Sequence, residues 1–92
     1  MKYKAILTNS FKREYRRMER RSENMALLDD VIDLLRQGDP LPAKYRDHAL
    51  IGNYKGSREC HIKPNWLLIY RIEESALVLM LMHTGSHSDL FE

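Results

Sequence analysis

The spacing of apolar residues changes several times along the chain, and each change marks an element. Lys4 to Thr8 is a short run of apolar and β-branched residues that ends in the cap-forming trio Thr8-Asn9-Ser10. It reads as a strand leading into a helix start. From Ser10 onward Phe11, Tyr15 and Met18 recur at helical spacing, with Lys12, Arg13, Arg16, Arg17 and Arg20 on the opposite side. This predicts an amphipathic helix with a cationic outer face. Ser22 or Asn24 can cap a second helix, in which Met25, Leu28, Ile32 and Leu35 share a face that Leu27, Val31 and Leu34 broaden. Gly38 stops it and Asp39-Pro40 disfavours continuation, so the two helices form an αα-hairpin.

Residues 39–57 hold Pro40, Pro42, Gly52 and Gly56 and read as a long connection, with His48 inside it. Loops of that length are uncommon in small domains unless they serve a function. Beyond Ser57 the period becomes two. Arg58–Ile62, Trp66–Ile72 and Leu77–His83 read as three strands joined at Pro64-Asn65 and Glu73-Glu74-Ser75, an antiparallel meander. The third is apolar on both faces, which suits a central strand or one covered on both sides. The order predicts a small α+β fold over residues 1–92, a single domain with an N-terminal strand and a helical hairpin packed on a small antiparallel sheet. The opposite face of the sheet is left open. If Cys60 and Ile62 face the helices, Glu59 and His61 face the open side, and Arg71 can share it.

Composition narrows the class. At 92 residues, 43% hydrophobic and 30% charged, the chain is ordinary for a globular domain. No apolar run approaches the ~20 residues needed to span a bilayer. The N-terminus has no secretory pattern, and the single cysteine, Cys60, has no internal disulfide partner. A cytoplasmic protein without membrane association is the expectation.

Net charge is +2, but it is segmental. Residues 1–21 carry eight Lys/Arg against Glu14 and Glu19, while residues 22–39 carry Arg36 against Glu23, Asp29, Asp30, Asp33 and Asp39. Residues 40–71 are basic again through Lys44, Arg46, Lys55, Arg58, Lys63 and Arg71, against Asp47 and Glu59. Two basic segments point either to a polyanionic partner or to solvated helix and strand surfaces. His48, His61 and His87 each lie beside residues suited to gripping a nucleic acid. Imidazole, with an ordinary pKa of about 6.5, can take or give a proton near neutral pH.

Longer motifs carry a resemblance. Asp47-His48-Ala49-Leu50, Gly52-Asn53-Tyr54-Lys55-Gly56, Arg58-Glu59-Cys60-His61-Ile62, Pro64-Asn65-Trp66-Leu67-Leu68-Ile69-Tyr70 and Thr84-Gly85-Ser86-His87-Ser88-Asp89-Leu90-Phe91 closely resemble the YafQ branch of the RelE/ParE toxin superfamily. The opening Leu7-Thr8-Asn9-Ser10-Phe11-Lys12-Arg13 fits the same pattern, so the likeness covers essentially the whole chain. It implies a RelE/ParE-like fold and the toxin half of a bacterial type II toxin–antitoxin pair. The implied activity is ribosome-dependent cleavage of mRNA. The implied partners are the ribosome, mRNA and a cognate antitoxin of DinJ/RelB type, with operator DNA reached only through the antitoxin complex.

The family's functional positions fall on His48, His61, Trp66, His87 and Phe91, and a sixth, usually Asp, falls on Asn65. Internal RNA cleavage needs a base for the 2′-hydroxyl proton, an acid for the departing 5′-oxygen, and positive charge near the phosphorane. His87 is the expected acid, with His48 or His61 serving the base or the charge, and no metal or other cofactor is expected. His83 and His87 are four residues apart, but Gly85 weakens a helix there, and a zinc site would need Cys60 or His61 as well. Trp66 and Phe91 would stack on bases, and Lys55, Arg58, Lys63, Arg71, His83 and Thr84 would hold substrate. The helix-one cations either bind rRNA or solvate their face. Two departures stand out: Asn65 cannot ionise, which implies impaired catalysis with fold and antitoxin binding kept, and His83 stands where the family usually has Arg. The alternatives are a non-catalytic toxin that binds a protein target, and an inactive toxin kept as the antitoxin's operator co-binder.

Overall fold

The computed structural model describes residues 1–91. Its strands are β1 (Lys4–Leu7), β2 (His48–Ala49), β3 (Arg58–Lys63), β4 (Trp66–Glu73) and β5 (Val78–Gly85), and its α-helices are α1 (Asn9–Arg20), α2 (Met25–Gln37) and α3 (His87–Phe91). Thr8 Oγ1 caps α1 by accepting the Phe11 N–H at 3.0 Å. Asn24, not Ser22, caps α2, its Oδ1 accepting from the Ala26 N–H. Ser22 instead makes the left-handed turn between the helices, at φ 61°. Gly38 ends α2 at φ 80°, a region glycine enters without steric cost. Among the described residues no helix is long and apolar enough to cross a membrane.

The sheet runs β1-β5-β4-β3-β2. The meander is antiparallel as expected, and β1 joins it as a parallel edge beside β5, making the sheet mixed. Parallel neighbours need a crossover, which the helical hairpin begins. The long connection is more ordered than its composition suggests. It holds 3-10 turns at Ala43–Tyr45 and Gly52–Tyr54, and between them β2 pairs with β3 through His48↔Glu59 and Ala49↔Arg58.

The core lies between the helical hairpin and one sheet face. Phe11 and Met18 from α1 and Leu28, Val31 and Leu35 from α2 meet Cys60, Ile62, Trp66, Leu68, Tyr70, Leu79 and Leu81. The other face is not open along its whole length. Leu67 and Ile69 point away from the helices yet are buried, because the 52–56 loop and α3 fold over them. There the Tyr54 ring meets His83 and Phe91, and Gly56 lies under the Arg71 guanidinium.

Beyond Gly85 the tail forms α3 through a capping box. Ser86 Oγ accepts the Asp89 N–H while Asp89 Oδ2 accepts the Ser86 N–H. Arg21 grips both Asp89 oxygens, at 2.6 and 2.9 Å, and Arg17 stands 3.7 Å away. The Arg21 hydrogen bonds hold the Asp89 carboxyl well below its usual range; burial opposes this, and the Ser86 hydrogen bonds and Arg17 add to it. A depressed folded pKa gives stability that is present above the unfolded value, near 4, and lost as pH falls toward the folded one. Acid is therefore expected to undock α3, at a cost of about 1 kcal/mol because Arg21 is partly exposed. NMR of Phe91 against pH checks this, and Asp89→Asn should abolish the acid dependence.

Candidate active site

Strand register gathers the titratable groups. His48↔Glu59 across β2–β3, Glu59↔Ile69 across β3–β4 and Ile69↔His83 across β4–β5 form one transverse row on the face away from the helices. The next row is His61, Leu67 and Gly85. A bulge makes the first row possible. Met82 is an extra residue opposite the Ile69–Tyr70 step, so Leu79 and Leu81 face the helices while His83 turns to the other side. Simple alternation would have sent His83 into the core.

At the β3 end, His48 Nε2 and His61 Nε2 both face Glu59 Oε1, at 3.7 and 3.3 Å, and the two rings lie 6.4 Å apart between centroids. His48 Nδ1 donates to the Arg46 carbonyl at 2.7 Å, and His61 Nδ1 donates to the Pro64 carbonyl at 3.3 Å. A carbonyl only accepts, so each Nδ1 carries a proton and Nε2 is the nitrogen that each ring turns toward Glu59. Glu59 is buried, and a proton on either Nε2 has it as counter-charge. Its side of β3 is readable from its i−2 relation to His61, but nothing local marks it as functional.

His87 is tied to the same hairpin by its backbone. It opens α3, two residues beyond Gly85, and its backbone N–H donates to Asn65 Oδ1 at 3.0 Å. The β3–β4 turn thus holds both sides, Pro64 receiving His61 and Asn65 receiving His87. In the sheet, His61 and Gly85 are two strand spacings apart, roughly 10 Å. Phe91 packs its ring 5.0 Å from His87 and keeps 37% of its surface exposed. Tyr54, unnoticed in the sequence, joins Phe91 to His83.

Several expected substrate contacts are engaged elsewhere. Trp66 is 1% exposed, and its Nε1–H donates to Thr84 Oγ1 at 2.9 Å. Thr84 is fully buried and passes its own proton to the Leu67 carbonyl. Neither presents a surface to RNA: Trp66 alternates with Leu68 and Tyr70 onto the helix side of β4. Arg58 alternates to the face opposite His61 and binds Asp47 at 2.9 and 3.2 Å, while Tyr70 O–H donates to the other Asp47 oxygen. The Asp47 hydrogen bond raises the Arg58 pKa, and burial followed by Asp47 raises that of Tyr70. This cluster braces the residue before His48 from the sheet face opposite His61.

Lys63 reaches Glu23 at 2.9 Å from an exposed position. Arg71 shares the His61 face at its far end, paired with Glu73, and Lys55 is exposed on the covering loop. His83 Nδ1 lies 3.1 Å from Glu14 Oε1, which also receives the Thr84 N–H beyond the end of β1. Glu14 is a buried acid on a predominantly cationic helix. Cys60 is buried among core residues, and burial, with the charges of Asp47 and Glu59, pushes its thiol up to about 12. It has no thiolate character for chemistry or metal binding.

Comparison with known proteins identifies the fold. The family model described as the bacterial toxin of type II toxin–antitoxin system, YafQ, matches residues 3–92. The chain belongs to the YafQ family of bacterial toxins. The mRNA interferase toxin YafQ of Escherichia coli K12 is 34% identical over 85 residues, covering 91% of this chain and 90% of that protein. The crystal structure of YafQ from E. coli BL21(DE3) superposes with a TM-score of 0.92 at 31% identity, covering 98% of this chain and 99% of that one. YafQ in the E. coli DinJ–YafQ complex gives 0.89 at 32% identity, with the same coverage. The mixed five-stranded sheet and helical hairpin are therefore the YafQ fold, and the protein is a type II toxin.

In a YafQ toxin, Asn65 is the departure to test. Its Oδ1 performs a purely accepting role toward His87 N–H, which Asp would perform equally well. Asn65→Asp is expected to leave thermal stability within about 0.5 kcal/mol, as at an exposed site. It should raise mRNA cleavage about tenfold or more by adding an ionisable acceptor between His61 and His87. Equal cleavage rates before and after would remove any catalytic meaning from the amide.

Proposed function

We propose that this toxin is an endoribonuclease that cuts mRNA on the ribosome by histidine acid–base chemistry, attenuated by Asn65. The observation that carries the reading is the convergence of His48 and His61 on the buried Glu59, with His87 tied to the same hairpin turn through Asn65. The interferase name of its E. coli relative supports it.

Nε2 of His48 or His61 takes the 2′-hydroxyl proton. The freed oxygen then attacks the adjacent phosphorus, and His87 gives a proton to the departing 5′-oxygen. The products are a cyclic phosphate and a new 5′-hydroxyl. A 2′-hydroxyl brought to one Nε2 gives up its proton there, with the Glu59 carboxylate beside the same ring. The imidazolium formed in that step has Glu59 as counter-charge and lies near the phosphorane. Phe91 stacks on a base, and Lys55, Lys63, Arg71 and His83 meet phosphates, His83 being oriented by Glu14.

A DinJ-like antitoxin is the proposed partner, by likeness to the E. coli complex, with operator DNA contacted only through it. The toxin acts in the cytoplasm, where ribosomes and messages are. Primer extension on translated mRNA is the test: expression of the toxin is expected to produce cuts at defined codon positions. Growth arrest with intact transcripts would support the protein-binding alternative instead.

A further inference from the structure

Between α2, the Ala43–Tyr45 turn and the β3–β4 hairpin lies a cavity of about 300 Å3. It exists because β2 is two residues long, pairing only with Glu59 and Arg58. The outer edge of β3 beyond Glu59 therefore has no strand beside it. The walls are of two kinds. Leu27, Tyr45 and Ile62 give an apolar slot beside the His61 ring, and Lys44, Arg46 and Lys63, the last paired with Glu23, give a cationic rim with no carboxylate among the lining residues.

Two features join this cavity to the reaction centre. His61 belongs to both, lining the cavity and facing Glu59 on its other side. Arg46 also belongs to both. Its backbone is left-handed, φ 50°, and its carbonyl receives His48 Nδ1 while the residue forms part of the rim. A side-chain-bearing residue stays in that conformation only where its surroundings impose it.

We propose that the cavity receives the base of the nucleotide flanking the scissile phosphodiester, with that nucleotide's phosphate against Lys44 and Arg46. The inference rests on the mRNA-cutting reading. A nucleobase has broad apolar faces and is attached to an anion, which matches an apolar slot rimmed by cations. An RNA that presents its 2′-hydroxyl to His61 has the neighbouring base within one nucleotide of the slot. An acidic segment of the antitoxin could satisfy the same rim, but continuity with His61 favours RNA. The pocket would then contribute to the codon preference of cleavage.

The test uses the intact toxin and a trinucleotide made uncleavable by 2′-deoxy substitution. NMR signals of Leu27, Tyr45 and Ile62 should shift on binding, and an abasic residue at the flanking position should remove those shifts. Leu27 is 36% exposed, so Leu27→Glu brings a carboxylate to the slot without emptying the core. It should weaken the trinucleotide by about tenfold or more, the scale of one lost base stack. On ribosomes it should raise KM more than it lowers kcat and redistribute the cut codons. Absence of shifts at these three residues, or equal affinity for the abasic probe, would overturn the proposal. So would Leu27→Glu losing antitoxin affinity while cutting the same codons, which assigns the cavity to the antitoxin. If the wild-type toxin cuts no message, the enzyme reading fails, and the trinucleotide shifts still decide whether the slot takes a base.

Discussion

Replacing His61 by alanine is expected to lower mRNA cleavage by about 10²–10⁴-fold, the usual contribution of a positioned acid–base group. His61 is the residue on which the local geometry converges. Its Nδ1–H is fixed by Pro64 in the hairpin turn, and its Nε2 shares Glu59 with His48. The ring is partly exposed and outside the hydrophobic core. Removing it should therefore leave folding unchanged, which separates chemistry from structure. Glu59→Gln keeps the shape of the carboxylate but loses its charge. It is expected to cost about tenfold or more in kcat, because the imidazolium formed when the base takes its proton loses its counter-charge. Replacing His61 and His87 together should cost little more than the worse of the two, since groups acting in one step are not additive. Cleavage by His61→Ala within about threefold of wild type would remove the imidazole pair from the mechanism.

The path from sequence to this site was uneven for identifiable reasons. The helical hairpin and the three meander strands were legible because their apolar periods are strong. Phe11, Met18, Leu28 and Leu35 and the alternation of Cys60 with His61 all fall where the period puts them. Long-range pairing was less visible. β2 is too short to have a period, so its pairing of His48 with Glu59 is set by β3 and by the Asp47–Arg58–Tyr70 brace. The Met82 bulge, which turns His83 outward, leaves no mark in a run of apolar residues. The helix of the tail depends on a Ser86–Asp89 capping box that is in the sequence, and on Arg21, which is 68 residues from its partner Asp89. Cationic residues read only as a solvated face or a nucleic-acid contact thus include Arg17 and Arg21, which help hold the site together.

Trp66 illustrates the opposite error, in which a residue at a functional family position proves to be the largest side chain of the core. Trp66→Ala is expected to destabilise the protein by about 3–5 kcal/mol, the range for emptying a buried aromatic site. That is a large part of the 5–15 kcal/mol typical of a domain. Two losses combine in it. The indole is packed among Leu68, Ile62 and the helical hairpin, and its N–H is the donor to Thr84 Oγ1, which in turn holds the Leu67 carbonyl. Trp66→Phe separates them by keeping most of the volume and deleting the donor. It should cost about 1–3 kcal/mol, the penalty for leaving a buried polar partner unmet. Because β4 carries the His61 partner Leu67 and follows directly on the turn residue Asn65, any loss of cleavage in Trp66→Ala should follow the unfolded fraction and recover on cooling. Chemical denaturation together with cleavage kinetics decides the matter. If Trp66→Phe keeps full stability and raises KM for mRNA, the indole leaves the core to stack on a base. If stability falls and KM holds, its contribution to the active site is the placement of the hairpin that carries Asn65 and receives His61.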